Sequence, residues 1–220
     1  MREARDDAAP FALAAAVILV ALALVSVHAN WELLGHRLWW FWLVTAAPYV
    51  LLAGTLWLGL DRLTVHDRRR EIVIGLLGLV WFFNALSVGL LVVSLVSNSA
   101  AHITGRQLLV SGGVVWLANV IAFGLAFWEL DSGGPVARAL ATARSDPDFQ
   151  FPQDDNPDLA RPGWAPRLFD YLYVSLTNAM AFSPTDSMPL TRLAKTVMAA
   201  ESTLSAITIL LVAARAVNIL

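Results

Sequence analysis

The sequence predicts an all-α membrane protein: five spanning helices, with a shorter half-helix and a re-entrant loop before the last one. Three observations carry this. The 220 residues are 58% hydrophobic and only 15% charged, against about 25% charged in a soluble domain. The apolar residues stand in blocks that match a hydrocarbon core of about 30 Å, which takes roughly 20 helical residues. Between the fourth and fifth blocks lies a stretch rich in Pro, Gly and Asp, then an aromatic segment too short to cross.

The first block, 11–27, follows the polar start MREARDDAAP. Its VSVHA end fits a signal-peptidase site, but the acids beside the arginines at the start favour a retained helix. The second, 38–60, carries Trp39, Trp40 and Trp42 at one end, as an interfacial aromatic belt does. The third runs over 72–96 and the fourth over 108–130, joined by short connections that make them antiparallel neighbours. The fifth, 189–217, is the most polar.

Residues 131–166 contain DSGGP, SDPDFQFPQDDNPD and RPGWAP, which break helix and strand alike. They read as an ordered or semi-ordered aqueous loop anchored by Phe149, Phe151 and Trp164. Next, LFDYLYVSL (168–176) is apolar and aromatic, and Thr177, Asn178, Ser183, Pro184, Thr185 and Asp186 follow it. Irregular backbone at membrane depth must be buried in protein or line water. A half-helix with a polar return meets that condition; an interfacial helix followed by a surface loop is the alternative.

In the last helix Met198, Glu201, Ser205, Thr208, Val212 and Arg215 recur at steps of three and four, which puts them on one stripe. An ionisable group at the depth of Glu201 costs at least about 2.5 kcal/mol against lipid. The stripe therefore lines a wet cavity, or Glu201 pairs with Lys195 or an arginine inside the bundle. Asn84 and Asn119 lie within helices and suit interhelical hydrogen bonds. Gly75, Gly78, Gly89, Gly112 and Gly113 suit close helix contact.

The net charge of −2 excludes a generic nucleic-acid surface. With no cysteine, disulfides, thiolate metal sites and thiol nucleophiles are excluded. His28, His36, His66 and His102 have no HxxxH spacing that points to metal or haem. No phosphate-binding, dinucleotide-binding or nucleophile-elbow motif is present, so neither an enzyme nor a cofactor is expected.

The run YLYVSLTNAMAFSPTDSMPLTRLAK, set between an apolar helix with its loop and a closing helix, resembles the pore module of potassium channels. It is closer still to uncharacterised bacterial membrane proteins with this pore-like pattern. The resemblance implies two regions: 1–104, three peripheral helices, and 105–220, a pore module. The module divides into an outer helix (108–130), an aqueous loop (131–166), a pore half-helix with a filter-like loop (167–188) and an inner helix (189–217). Ser175, Leu176 and Thr177 match the end of the family's half-helix, Asp186 its acid beyond the filter, and Pro189, Leu190 and Arg192 the start of its inner helix. The resemblance makes Thr177, Asn178, Ala179, Met180, Ala181, Phe182, Ser183, Pro184, Thr185 and Asp186 the filter-like loop. In a pore of that kind Glu201, Ser205 and Thr208 would line the cavity.

It further implies a homotetramer that conducts monovalent ions in a lipid bilayer. The loop lacks the filter glycines that turn successive carbonyls inward, so K⁺ selectivity is not expected. A non-conducting scaffold or partner subunit with the same fold is the alternative, and a membrane-embedded enzyme or a metal- or haem-binding protein ranks below both. On orientation, twelve of the fifteen basic residues fall on the side of the N-terminus, which places it in the cytoplasm. The resemblance would place the 131–166 loop, and with it the N-terminus, outside.

Overall fold

The computed structural model describes residues 8–57, 66–96, 104–140, 146–181 and 187–219. In chain order come α1 (Ala8–His28), α2 (Trp39–Trp57), α3 (His66–Val96), α4 (Gly105–Leu130), α5 (Pro135–Leu140), β1 (Phe149–Gln150), α6 (Pro152–Asp155), α7 (Leu168–Ala181), β2 (Met188–Pro189) and α8 (Arg192–Ile219). Among the described residues, α1, α2, α3, α4 and α8 are the five helices long and apolar enough to cross a membrane. Large apolar side chains such as Val17, Leu24, Leu51, Phe82 and Leu210 are exposed, an outer face that suits acyl chains rather than water.

The centre of the bundle is α4, which packs against α1, α3, α7 and α8. It starts at an N-cap, where Thr104 accepts a hydrogen bond from the Gln107 amide at 3.2 Å. Gln107 also donates to the Glu32 carbonyl at 2.8 Å, so the α1–α2 turn and the start of α4 lie on one side of the bundle. The closest pairing outside α4 is α1 with α2, where Ala8, Ala12, Ala15, Ala16 and Ala23 are buried. Small side chains let two backbones approach, which is how helices associate in lipid.

Gly112 and Gly124 both serve close contacts. A Cβ on Gly112 would lie 2.4 Å from Val212 Cγ2, and one on Gly124 would lie 3.0 Å from the Leu172 Cα. Gly75, Gly78, Gly89 and Gly113 have no neighbour within 4 Å of that position, so none of the four admits a neighbouring helix of the same chain. In a membrane helix, glycines can simply face lipid.

Past Leu130 the chain turns through Ser132 at φ 52° and Gly133 at φ 79° to Gly134 at φ 98°. A Cβ on Gly134 would meet the Glu129 carbonyl at 3.0 Å, so conformation and space both demand glycine there. Beyond it, β1 pairs antiparallel with β2, Phe149 opposite Pro189 and Gln150 opposite Met188. Leu190 N–H donates to the Asp148 carbonyl at 2.8 Å. The end of α4, the loop and the start of α8 therefore share one side.

Phe149, Phe151 and Trp164 anchor the loop as expected. Phe149 packs 5.1 Å from Phe127 and 6.2 Å from Tyr171, and Phe151 packs 5.3 Å from Tyr171 and 5.9 Å from Trp164.

Candidate functional site: a polar seam between α4, α7 and α8

The start of α7 is fixed against the end of α4. Asp131 is fully buried and accepts from the Asp148 amide at 2.8 Å, the Phe149 amide at 3.2 Å and the Tyr171 hydroxyl at 2.5 Å. Arg138 donates to the carbonyls of Trp128, at 2.9 Å, and Asp131, and its guanidinium lies over the Tyr171 ring at 5.3 Å. These groups satisfy carbonyls left open at the helix end. From this point α7 runs inward along α4, antiparallel to it, and Ser175 donates to the Val120 carbonyl at 2.7 Å.

Two polar side chains on the inner face of α7, Ser175 and Asn178, are separated by three positions and so share a face. They meet Glu201, which is 0% exposed on α8. Ser175 Oγ contacts Glu201 Oε1. Asn178 Nδ2 donates to Glu201 Oε2 at 2.7 Å and to the Met198 carbonyl at 3.0 Å, and Ser202 donates to Asn178 Oδ1 at 2.9 Å. One turn further on, Asn119 Nδ2 of α4 donates to Ser205 Oγ at 3.3 Å. Between α2, α3 and α4 stands a smaller knot: Asn84 donates to the Tyr49 hydroxyl, which donates to the Ala118 carbonyl, each at 2.9 Å.

Glu201, Ser205 and Thr208, expected along a cavity, are buried within the single chain, on a helix packed against α3, α4 and α7. Lys195 is exposed, and among the described residues no cation pairs with Glu201. Thr208 turns its hydroxyl back to the Leu204 carbonyl at 2.8 Å.

The resemblance ends the half-helix at Thr177, but α7 continues to Ala181. No Gly or Pro interrupts Asn178–Ala181, and Ala and Met are good helix formers. Thr177 bonds back to the carbonyls of Tyr173 and Val174, both at 3.0 Å. Ala179 is buried, whereas Met180 is 62% exposed. Phe182, Ser183, Pro184, Thr185 and Asp186, the rest of the expected filter-like loop, lie outside the described residues.

Sequence reasoning missed the Asp131–Tyr171 clamp and Gly124. For the Glu201 partners a signal existed in the Ser175/Asn178 spacing on an otherwise apolar helix. Among the described residues no three His, Asp or Glu side chains converge as a metal-binding group.

No protein-family model, curated protein or solved structure matches the chain. The fold and its buried seam define a class: an all-α, multi-pass membrane protein.

Proposed function

We propose that the chain is one subunit of an oligomeric ion channel, a tetramer, in which α7 is a re-entrant half-helix beside the inner helix α8. The observation that carries this reading is the placement of α7. Its 14 residues span about 21 Å at 1.5 Å per residue, short of the roughly 30 Å core. It enters beside Asp131, and Ser175 meets Val120, ten residues inside the end of α4. The chain is back at the entry side by β2, which pairs with β1.

In this reading Glu201, Ser205 and Thr208 stand behind the path, and Glu201 seats α7. The path follows Thr177 and the outward face of α8, where Thr196, Ala200 and Thr203 are exposed. Conduction needs only oxygen groups that partly replace ion hydration. Small monovalent cations would pass with weak discrimination between K⁺ and Na⁺.

One observation favours a second reading, a non-conducting scaffold with the same fold: no glycine occurs from 177 to 191. Two measurements separate the readings. Detergent-subtracted mass should give a tetramer, and liposomes holding the protein should release K⁺ and Na⁺ at comparable rates. A monomer removes the central path. A tetramer without flux over a range of voltages leaves the scaffold.

A further inference from the structure

We infer that Glu201 is a proton-binding site, a neutral carboxylic acid whose proton completes the hydrogen-bond network that latches α7 to α8. A count of protons supports this whether or not the chain conducts. A serine hydroxyl has one proton to give, and a backbone carbonyl has none. Ser175 Oγ lies within hydrogen-bond reach of both the Val120 carbonyl, at 2.7 Å, and Glu201 Oε1. The Val120 contact takes the serine proton, so the Glu201 contact needs a proton from Glu201.

The rest of the network leaves nothing to spare. Asn178 spends its two amide protons on Glu201 Oε2 and the Met198 carbonyl, and Ser202 spends its one on Asn178 Oδ1. An ionised Glu201 would leave four protons for the five contacts of 3.0 Å or less around it. A neutral one makes five for five. Inside a bundle an unmade hydrogen bond costs the desolvation of the group left over, so the balanced count is the favoured state.

The charged and titratable groups nearby do not alter the count. On the elements packed against α8, those with described side chains are Arg70 and Glu71 of α3, Arg106 and Glu129 of α4, and Asp170, Tyr171 and Tyr173 of α7. Besides Glu201, the charges of α8 with described side chains are Arg192 and Lys195, both exposed at its start. Among the described residues Glu201 forms no ion pair, and its hydrogen-bond partners are Ser175 and Asn178. A buried carboxylate with no cation would be an uncompensated charge in the membrane.

The test is infrared spectroscopy of the full chain in lipid nanodiscs at neutral pH, comparing the wild type with Glu201→Gln. Glutamine matches the neutral acid, with its amide donating towards Ser175 Oγ and its carbonyl accepting from Asn178. The variant should therefore assemble and melt like the wild type. The expected result is loss of a deuterium-sensitive band, the carbonyl stretch of a protonated carboxylic acid. Loss of carboxylate bands with the acid band unchanged overturns the proposal. If Glu201→Gln fails to fold, Ser175→Ala takes its place, because it removes the acceptor of the Glu201 proton. The acid band should then shift to higher frequency, and an unshifted band overturns the proposal equally.

Discussion

The Tyr171 hydroxyl donates to the buried Asp131 carboxyl at 2.5 Å, joining the first turn of α7 to the residue that ends α4. Forty positions separate the two residues, and the bond sets where α7 enters the bundle. Around it, the Asp148 and Phe149 amides converge on the same carboxyl.

Tyr171→Phe should keep the ring packing on Phe149 and Phe151 and remove only the hydroxyl. Leaving a buried acceptor one donor short costs roughly 1–3 kcal/mol. The loop, rather than the spanning helices, should loosen. Trypsin should then cleave at Arg138 several times faster than in the wild type, because that guanidinium is held against the Trp128 and Asp131 carbonyls. An unchanged cleavage rate would mean the clamp does not depend on this bond.

Asn178→Leu should destabilise the protein more than Thr177→Val. Asn178 supplies two donors and one acceptor to α8, whereas Thr177 bonds only to its own helix. Each orphaned buried group costs about 1–3 kcal/mol, so the Asn178 variant should show the larger fall in thermal midpoint, followed by tryptophan fluorescence. Equal falls would remove the seam as the fastening between α7 and α8.

Gly124→Ala and Gly113→Ala form a matched pair within one helix. A Cβ at 124 meets Leu172 at Cδ2, 2.6 Å away, and at its backbone Cα, 3.0 Å away, while one at 113 meets nothing within 4 Å. The first should push α7 off α4 and cost about 1–3 kcal/mol, as overpacking does. The second should be neutral or slightly stabilising, since alanine is the better helix former. Thermal midpoints decide it, and equal values would contradict the close approach at Gly124.

Tyr49→Phe leaves the Ala118 carbonyl and the Asn84 amide short of a partner at once. The cost should be about 1–3 kcal/mol. Combined with Asn84→Leu, the total should fall short of the two single losses added together, because both variants break the same knot. Additive losses would show that the two residues act separately.

The spanning helices were legible in the sequence because membrane crossing is a local property: about twenty apolar residues in a row suffice, whatever they pack against. The loop anchors Phe149, Phe151 and Trp164 were legible for a related reason, since aromatics among Pro and Asp have little other use. So was the need for polar company at Glu201, whose burial in an apolar helix is costly without it. The identity of that company was not legible. Lys195 and the arginines were plausible partners on charge alone, yet Ser175 and Asn178 take the place, 26 and 23 positions away in sequence. Only the packing of α7 into the angle between α4 and α8 brings them there. The same packing distinguishes Gly124 from Gly113, which helical periodicity cannot rank. A repeat of 3.6 residues shows which side chains share a face; the register between two helices comes from how their surfaces interlock, and a sequence read along one helix at a time carries no record of it.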